Sequence, residues 1–93
     1  MSLAATPDPV DAGESLSVVA AASDPESGVE SVRLYRLDGN IRVLLGEDRV
    51  APYQWQVVAP TDGRTTLSLY ARATDREGHW AESDVITVAV RPR

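Results

Sequence analysis

The chain is 93 residues long and acidic, with a formal net charge of −5, 43% hydrophobic residues and no cysteine. This length fits one domain with one core and leaves little surface to wall a deep catalytic cleft, and the lack of cysteine excludes disulfides and thiolate metal sites. The negative charge argues against nucleic acid and anionic lipid as partners, and the longest apolar run, residues 18–22, is far too short for membrane insertion, which takes ~20 residues.

Short runs of alternating apolar and polar residues recur along the chain and predict strands, since no segment keeps the i, i+3, i+4, i+7 spacing of an amphipathic helix. Residues 1–9 contain Ala, Pro and Asp and are predicted as a lead-in or linker. The first long strand follows Gly13, and its inward residues are Leu16, Val18, Ala20 and Ala22.

Turn residues divide the middle of the chain. Residues 23–28 read Ser-Asp-Pro-Glu-Ser-Gly, a turn cluster, and the inward pattern resumes over residues 29–34. Asp38-Gly39-Asn40 then predicts a tight hairpin, because glycine tolerates the positive φ that such turns need. Residues 41–45 are therefore expected to pair with the strand before the turn.

The second half of the chain predicts three more strands, over residues 53–57, 67–74 and 86–90, separated by loops at residues 60–64 and 75–83. Six or seven strands with turns every eight to twelve residues suggest a sandwich or a barrel, with the sandwich favoured. The predicted core comprises Leu16, Val18, Leu34, Trp55, Leu69, Ala71, Ile86 and Val88.

Three stretches carry a family resemblance: Ala-Ser-Asp-Pro-Glu-Ser-Gly-Val-Glu-Ser-Val at 22–32, Ala-Pro-Tyr-Gln-Trp at 51–55 and Ala-Arg-Ala-Thr-Asp-Arg-Glu-Gly at 71–78. Together they resemble the bacterial immunoglobulin-like domains of secreted hydrolases, adhesins and surface proteins. The resemblance implies an all-β, immunoglobulin-like antiparallel β-sandwich of about seven strands, one module over residues 1–93. It also implies a non-catalytic structural or interaction module of a larger secreted or surface bacterial protein, whose neighbouring domains are its partners.

By the same resemblance, Asp24 and Asp75 look like loop-organising residues, whose carboxylates accept bonds from nearby backbone N–H groups. Two departures stand out. His79-Trp80 follow Gly78 where the family often has Asn, and Leu67 stands where relatives of the sandwich can carry a corner tyrosine. The tip of the last loop is therefore chemically unusual.

Catalysis is not expected of this chain. It offers one histidine, no cysteine and no Gly-x-Ser-x-Gly elbow, and no cofactor is predicted. His79 is close enough in sequence to pair with Asp75, but it sits in a loop rather than in a predicted cavity. The many carboxylates are explained by solvated surface charge in an acidic chain.

Recognition is the main alternative to a purely structural role. Tyr, Trp and Arg are enriched at recognition surfaces. Six residues, which are of these types or adjacent to one, either point away from the core in the predicted alternation or lie in the last loop. This candidate binding face, for a protein or a glycan ligand, comprises Arg33, Tyr35, Tyr70, Arg72, His79 and Trp80. Arg stacking on Tyr also stabilises a sheet with no partner, so the structural interpretation stays open.

A cation site is a further alternative. The two loops that carry Asp24 and Glu26, and Asp75 and Glu77, are expected to converge at one end of the sandwich, and Ca²⁺ takes about six to eight oxygen ligands. The sequence lacks the dense Asp-x-Asp-x-Asp arrangement of dedicated sites, and a loop cap needs no metal. We therefore expect caps and no metal.

Overall fold

The structure, a computed structural model, describes residues 2–21 and 28–92. These residues form nine strands: β1 (Ser2–Thr6), β2 (Val10–Asp11), β3 (Ser15–Ala21), β4 (Val29–Asp38), β5 (Ile41–Asp48), β6 (Tyr53–Val58), β7 (Thr66–Asp75), β8 (Trp80–Glu82) and β9 (Ile86–Arg91). No helix capable of spanning a membrane occurs in this part of the chain.

The strands form two sheets that pack face to face, which confirms the predicted sandwich. The smaller sheet has the order β1-β3-β6, and the larger one has the order β2-β9-β7-β4-β5, with β8 paired to the free part of β7. All pairs are antiparallel except β2 with β9. The predicted hairpin is confirmed, since β4 and β5 pair across Gly39, whose φ is +62°.

The core lies between the inward residues of both sheets. Six of the eight predicted core residues are buried: Leu16, Val18, Leu34, Leu69, Ala71 and Val88. Trp55 and Ile86 are only partly buried and pack against the edge of the core cluster. Alternation along a strand thus predicted which side chains face inward, whereas the degree of burial varies along a single strand: Val88 is buried, and Ile86 at the start of the same strand, β9, is only partly covered.

Residues 2–6 of the predicted lead-in are part of the sandwich instead. They form β1, which pairs with β3 over five residues, from Ser2 opposite Ala21 to Thr6 opposite Ser17. The inward Leu3 and Ala5 pack against the core. This strand is short and rich in small residues, so its alternation is weak in the sequence.

Part of the predicted loop 75–83 is also a strand. Residues 80–82 form β8, which pairs with the end of β7 through Trp80 opposite Thr74 and Glu82 opposite Arg72. The chain then leaves the sheet and returns as β9, which pairs with the first part of β7. One long edge is therefore divided between two short strands.

The described chain enters and leaves the sandwich at opposite poles. Ser2 lies beside Ala21, at the carboxyl end of β3, whereas the carbonyl of Arg91 accepts a 2.9 Å hydrogen bond from Ala12, just before β3 begins. The molecule is elongated, with principal extents of 46 × 26 × 17 Å. The long axis therefore separates the two ends.

Candidate binding face

The outer surface of the larger sheet brings five of the six predicted face residues together, all except His79. The pairing of β4 with β7 sets Arg33 opposite Arg72 and Tyr35 opposite Tyr70. Directly opposed residues of antiparallel strands project from the same side of a sheet. Trp80 joins this surface through β8, because its partner Thr74 is two residues beyond Arg72 on β7.

The two tyrosines are stacked, with ring centres 5.2 Å apart and planes 15° from parallel. Tyr70 is only 5% exposed although it points outward, because Tyr35 and Arg42 cover it. Arg42 Nη1 donates a 3.2 Å hydrogen bond to the Tyr70 hydroxyl, which raises the pKa of the Arg42 guanidinium. Tyr70 thus forms the floor of the surface rather than a contact point.

Arg72 connects the tyrosines to Trp80. Its guanidinium carbon lies 4.4 Å from the centre of the Trp80 ring and 6.0 Å from that of Tyr35. Its Nε and Nη2 both donate to Glu82 Oε2, at 3.2 and 2.9 Å. The indole is nevertheless 59% exposed, so this cation–π contact covers only part of it.

His79 belongs to the loop at one pole rather than to the sheet surface. Its side chain is 78% exposed, and its Nδ1 lies 3.3 Å from Asp75 Oδ2. The other oxygen of Asp75 accepts 2.9 Å hydrogen bonds from the backbone N–H groups of Glu77 and His79. These bonds give Asp75 the predicted loop-organising role.

Sequence reasoning missed Glu82 and Arg42, the two charged residues that fix the surface. Glu82 forms the fork with Arg72, and Arg42 Nη1 also lies 4.0 Å from Glu82 Oε2. Arg42 could have been found from the hairpin, since pairing across Asp38-Gly39-Asn40 sets it opposite Leu37, in phase with Tyr35. Glu82 shares the phase of Trp80, but that signal needs β8 to be recognised as a strand.

A shallow depression of about 250 Å³ adjoins Glu82 on the same surface. It lies where the edge strand is divided, and it is lined by Leu37, Arg42, Tyr70, Glu82, Ser83 and Val85. The Ser83 hydroxyl closes the gap in the ladder, because it accepts a 2.9 Å hydrogen bond from Ala71 N–H, while Ser83 N–H donates to the Ala71 carbonyl at 2.8 Å. The depression is thus bordered by hydrogen-bonded residues of the sheet edge.

Another charged cluster lies at the opposite pole, beside the hairpin. Arg64 Nη1 is 2.7 Å from Asp38 Oδ1, its Nη2 is 2.8 Å from Asp62 Oδ2, and Arg36 also donates to Asp38. Hydrogen bonds from Arg64 lower the pKa of both carboxyls, with Arg36 adding to the effect on Asp38. The cluster clamps the hairpin to the loop before β7, which is a structural role.

The cation cluster predicted from Asp24, Glu26, Asp75 and Glu77 falls partly outside the described residues, since Asp24 and Glu26 lie in 22–27. Within 2–21 and 28–92, no group of three or more His, Cys, Asp or Glu side chains is arranged to hold a metal ion. In the described half of the cluster, Asp75 accepts hydrogen bonds from the backbone of its own loop. Leu67, which stands where relatives of the sandwich can carry a corner tyrosine, is buried.

Comparison with known proteins gives one clear relationship. A family model described as a bacterial Ig domain matches residues 5–71, which is most of the chain and includes β3 to β6 in full. No significant match to a curated protein or to a solved structure was found. The matched span and the packed antiparallel sheets agree, and the chain therefore belongs to the bacterial Ig domain family.

Proposed function

We propose that this domain is a non-catalytic spacer module, one unit of a longer secreted or surface protein of a bacterium. Domains of this family are structural modules of larger bacterial proteins and typically occur in exported or surface proteins. The observation that carries the proposal is the polarity of the chain, which enters at one pole of a 46 Å long sandwich and leaves at the other. Such a unit extends a chain of domains, and its partners are the domains on either side.

The chemistry of the described side chains supports a role without catalysis. A general base needs a nucleophile or substrate proton within about 3 Å inside a water-excluding site. His79 is largely exposed, and the carboxylate beside it, Asp75, already holds the loop backbone. The depression beside Glu82 is shallow. Glu82 is already bound by Arg72, and the Ser83 hydroxyl is hydrogen-bonded to the Ala71 N–H and the Asp84 carbonyl rather than to a base.

The spacer function is tested by the shape of a tandem array. Two and three copies joined directly end to end are measured by small-angle X-ray scattering, beside the single domain. A spacer adds close to the long dimension of 46 Å to the maximum dimension for each copy. Growth closer to the intermediate dimension of 26 Å, or to the short one of 17 Å, would show side-by-side packing of the copies and contradict the proposal.

One observation favours a second function, the binding of a ligand by the outer surface of the larger sheet. Trp80 is more than half exposed although it is held in place by Arg72, and Arg72 is itself held by Glu82. Aromatic and Arg side chains that are already ordered lose little conformational entropy on binding, which is why they dominate recognition surfaces. The ligand proposed for this surface is a glycan or a protein.

A further inference from the structure

We infer that this surface binds a neutral glycan chain, with one sugar ring on Trp80 and another in the depression beyond Glu82. The inference rests on the second function proposed above and names its ligand class and subsites. It does not depend on the spacer function, since a module can both extend a chain and bind a polymer.

Trp80 supplies the first subsite. A pyranose ring has an apolar face of C–H groups, and aromatic rings attract such groups through burial and through the negative charge of the ring face. The Arg72 guanidinium, 4.4 Å from the ring centre, limits the motion of the indole while leaving it 59% exposed. The platform therefore exists before any ligand arrives, which lowers the entropic cost of stacking.

Arg72, Glu82 and Arg42 supply hydrogen bonds beside that platform. Sugar hydroxyls donate and accept, so they need both kinds of group within a short distance. Glu82 Oε2 takes both bonds of the Arg72 fork, and among the described residues no donor reaches Glu82 Oε1. Arg42 donates one N–H to Tyr70, and its other N–H groups lie at the rim of the depression.

The depression supplies the second subsite. Its volume of about 250 Å³ is smaller than the roughly 300–1,000 Å³ of pockets for drug-sized ligands, so it suits a single ring. Leu37 and Val85 provide apolar walls, Tyr70 forms the floor, and Arg42 and Glu82 provide polar groups. Two residues of strand, ~6.6 Å, separate Trp80 from Glu82, so the two subsites lie in line along the sheet edge.

The charges select a neutral polymer over an anionic one. Each cation of the surface lies near an acidic side chain: Arg72 and Glu82 are 2.9 Å apart, and Arg33 and Glu47 are 3.9 Å apart. Arg42 lies 4.0 Å from Glu82. The whole chain carries −5, which repels a polyanion at long range. A protein partner is less suited, because a stable interface buries about 800 Å² on each side, whereas the large hydrophobic side chains exposed on this surface are only Leu44, Trp80 and Val85 among the described residues.

The test uses affinity electrophoresis of the intact chain in gels that contain a soluble β-glucan, a β-xylan or a β-mannan, with polygalacturonate as the anionic probe. At least one neutral polymer is expected to retard the protein, and Trp80→Ala is expected to weaken that binding by about tenfold or more, the loss typical of a Trp hot spot. Trp80→Tyr retains part of the binding. Val58→Ala, which removes an exposed apolar side chain from the other sheet, is the matched control and leaves binding unchanged.

Fluorescence gives a second readout at the site itself. In a Trp55→Phe background the only indole is Trp80, and the retarding polymer should protect it from quenching by acrylamide. Retardation by polygalacturonate alone, or by none of the four polymers, overturns the inference. Concentration-dependent dimerisation in sedimentation that Trp80→Ala abolishes would also overturn it and assign the surface to a second copy. Each of these results leaves the scattering test of the spacer function unaffected.

Discussion

Gly46 lies beneath the indole of Trp55 on the inner side of the larger sheet: a Cβ placed on Gly46 would stand 2.7 Å from Trp55 Cδ1. Gly46 pairs with the buried Leu34, and the next pair joins Tyr35 to Leu44, so Leu45 is an extra residue in β5. This bulge lets the backbone of β5 approach a large side chain of the other sheet.

Gly46→Ala is therefore expected to destabilise the domain by about 1–3 kcal/mol, the usual cost of overpacking a core. Urea unfolding followed by circular dichroism measures the loss. In a Trp55→Ala background the same substitution should cost much less, because the side chain that it meets is gone. Equal costs in both backgrounds would place the strain elsewhere.

Ser83 replaces a backbone group in the sheet ladder, since its hydroxyl accepts the Ala71 N–H at 2.9 Å. Ser83→Ala leaves that buried donor unsatisfied, and we expect a loss of about 1–3 kcal/mol together with faster hydrogen exchange at the Ala71 amide. Ser68→Ala is the matched control, because Ser68 is on the same strand as Ala71 and makes no side-chain hydrogen bond with the described residues. Unchanged exchange at Ala71 in Ser83→Ala would contradict this role.

Alternation in the sequence predicted the long strands well, because each of β3, β4, β7 and β9 buries one face. It failed for β1 and β8 for different physical reasons. Leu3 is the one large inward residue of β1, so its pattern is hardly distinguishable from a linker. β8 has three residues, all exposed, and exists only because it pairs with the end of β7.

The candidate binding face shows the same limit. To place Tyr35 and Tyr70 on one surface, it is enough to read the alternation of apolar and polar residues in two clear strands. The register of the sheet then sets the two tyrosines opposite one another. The contact between Arg72 and Trp80 needed the position of β8, which depends on how Asp75 folds the loop before it. Burial of Tyr70 depends on Arg42 reaching across from β5, a side-chain contact that no periodic pattern contains.

Asp75 is expected to hold that loop through its carboxylate rather than through a metal. Asp75→Ala removes the acceptor of two backbone N–H groups and should cost about 1–2 kcal/mol, as the loss of a cap does. Asp75→Asn keeps one side-chain oxygen and should lose less. Glu77→Ala serves as the control, since the exposed Glu77 side chain makes only a 3.9 Å contact with His79 among residues 2–21 and 28–92.

Calcium is expected to leave the melting temperature of the domain unchanged. Binding at 100 times Kd would add about 2.7 kcal/mol of stability, so the effect of a real site is easily detected. The measurement is a thermal melt in millimolar Ca²⁺ and in a chelator, on the natural sequence and on Asp75→Ala. A rise of several degrees that Asp75→Ala abolishes would make this a calcium-dependent module, with Asp24 and Glu26 as the further ligands to test.

The loss of folding stability at low pH is expected to depend on Arg64. Its hydrogen bonds lower the folded-state pKa of Asp38 and Asp62 below the ordinary value of 3.8. A carboxyl with a depressed folded pKa contributes stability that is present above its unfolded pKa and lost as the pH falls through the folded value. Arg64→Gln should therefore be less stable than the natural sequence at pH 7, and the two should converge below pH ~3.8 as both carboxyls become protonated.

Arg91→Gln, which removes an exposed charge paired with Asp11 at the same pole, is the matched control and should change the low-pH slope less. Urea midpoints from pH 7 down to pH 2 measure both variants, and a stability difference that persists undiminished at the lowest pH would show that Arg64 acts through packing rather than through the two carboxylates.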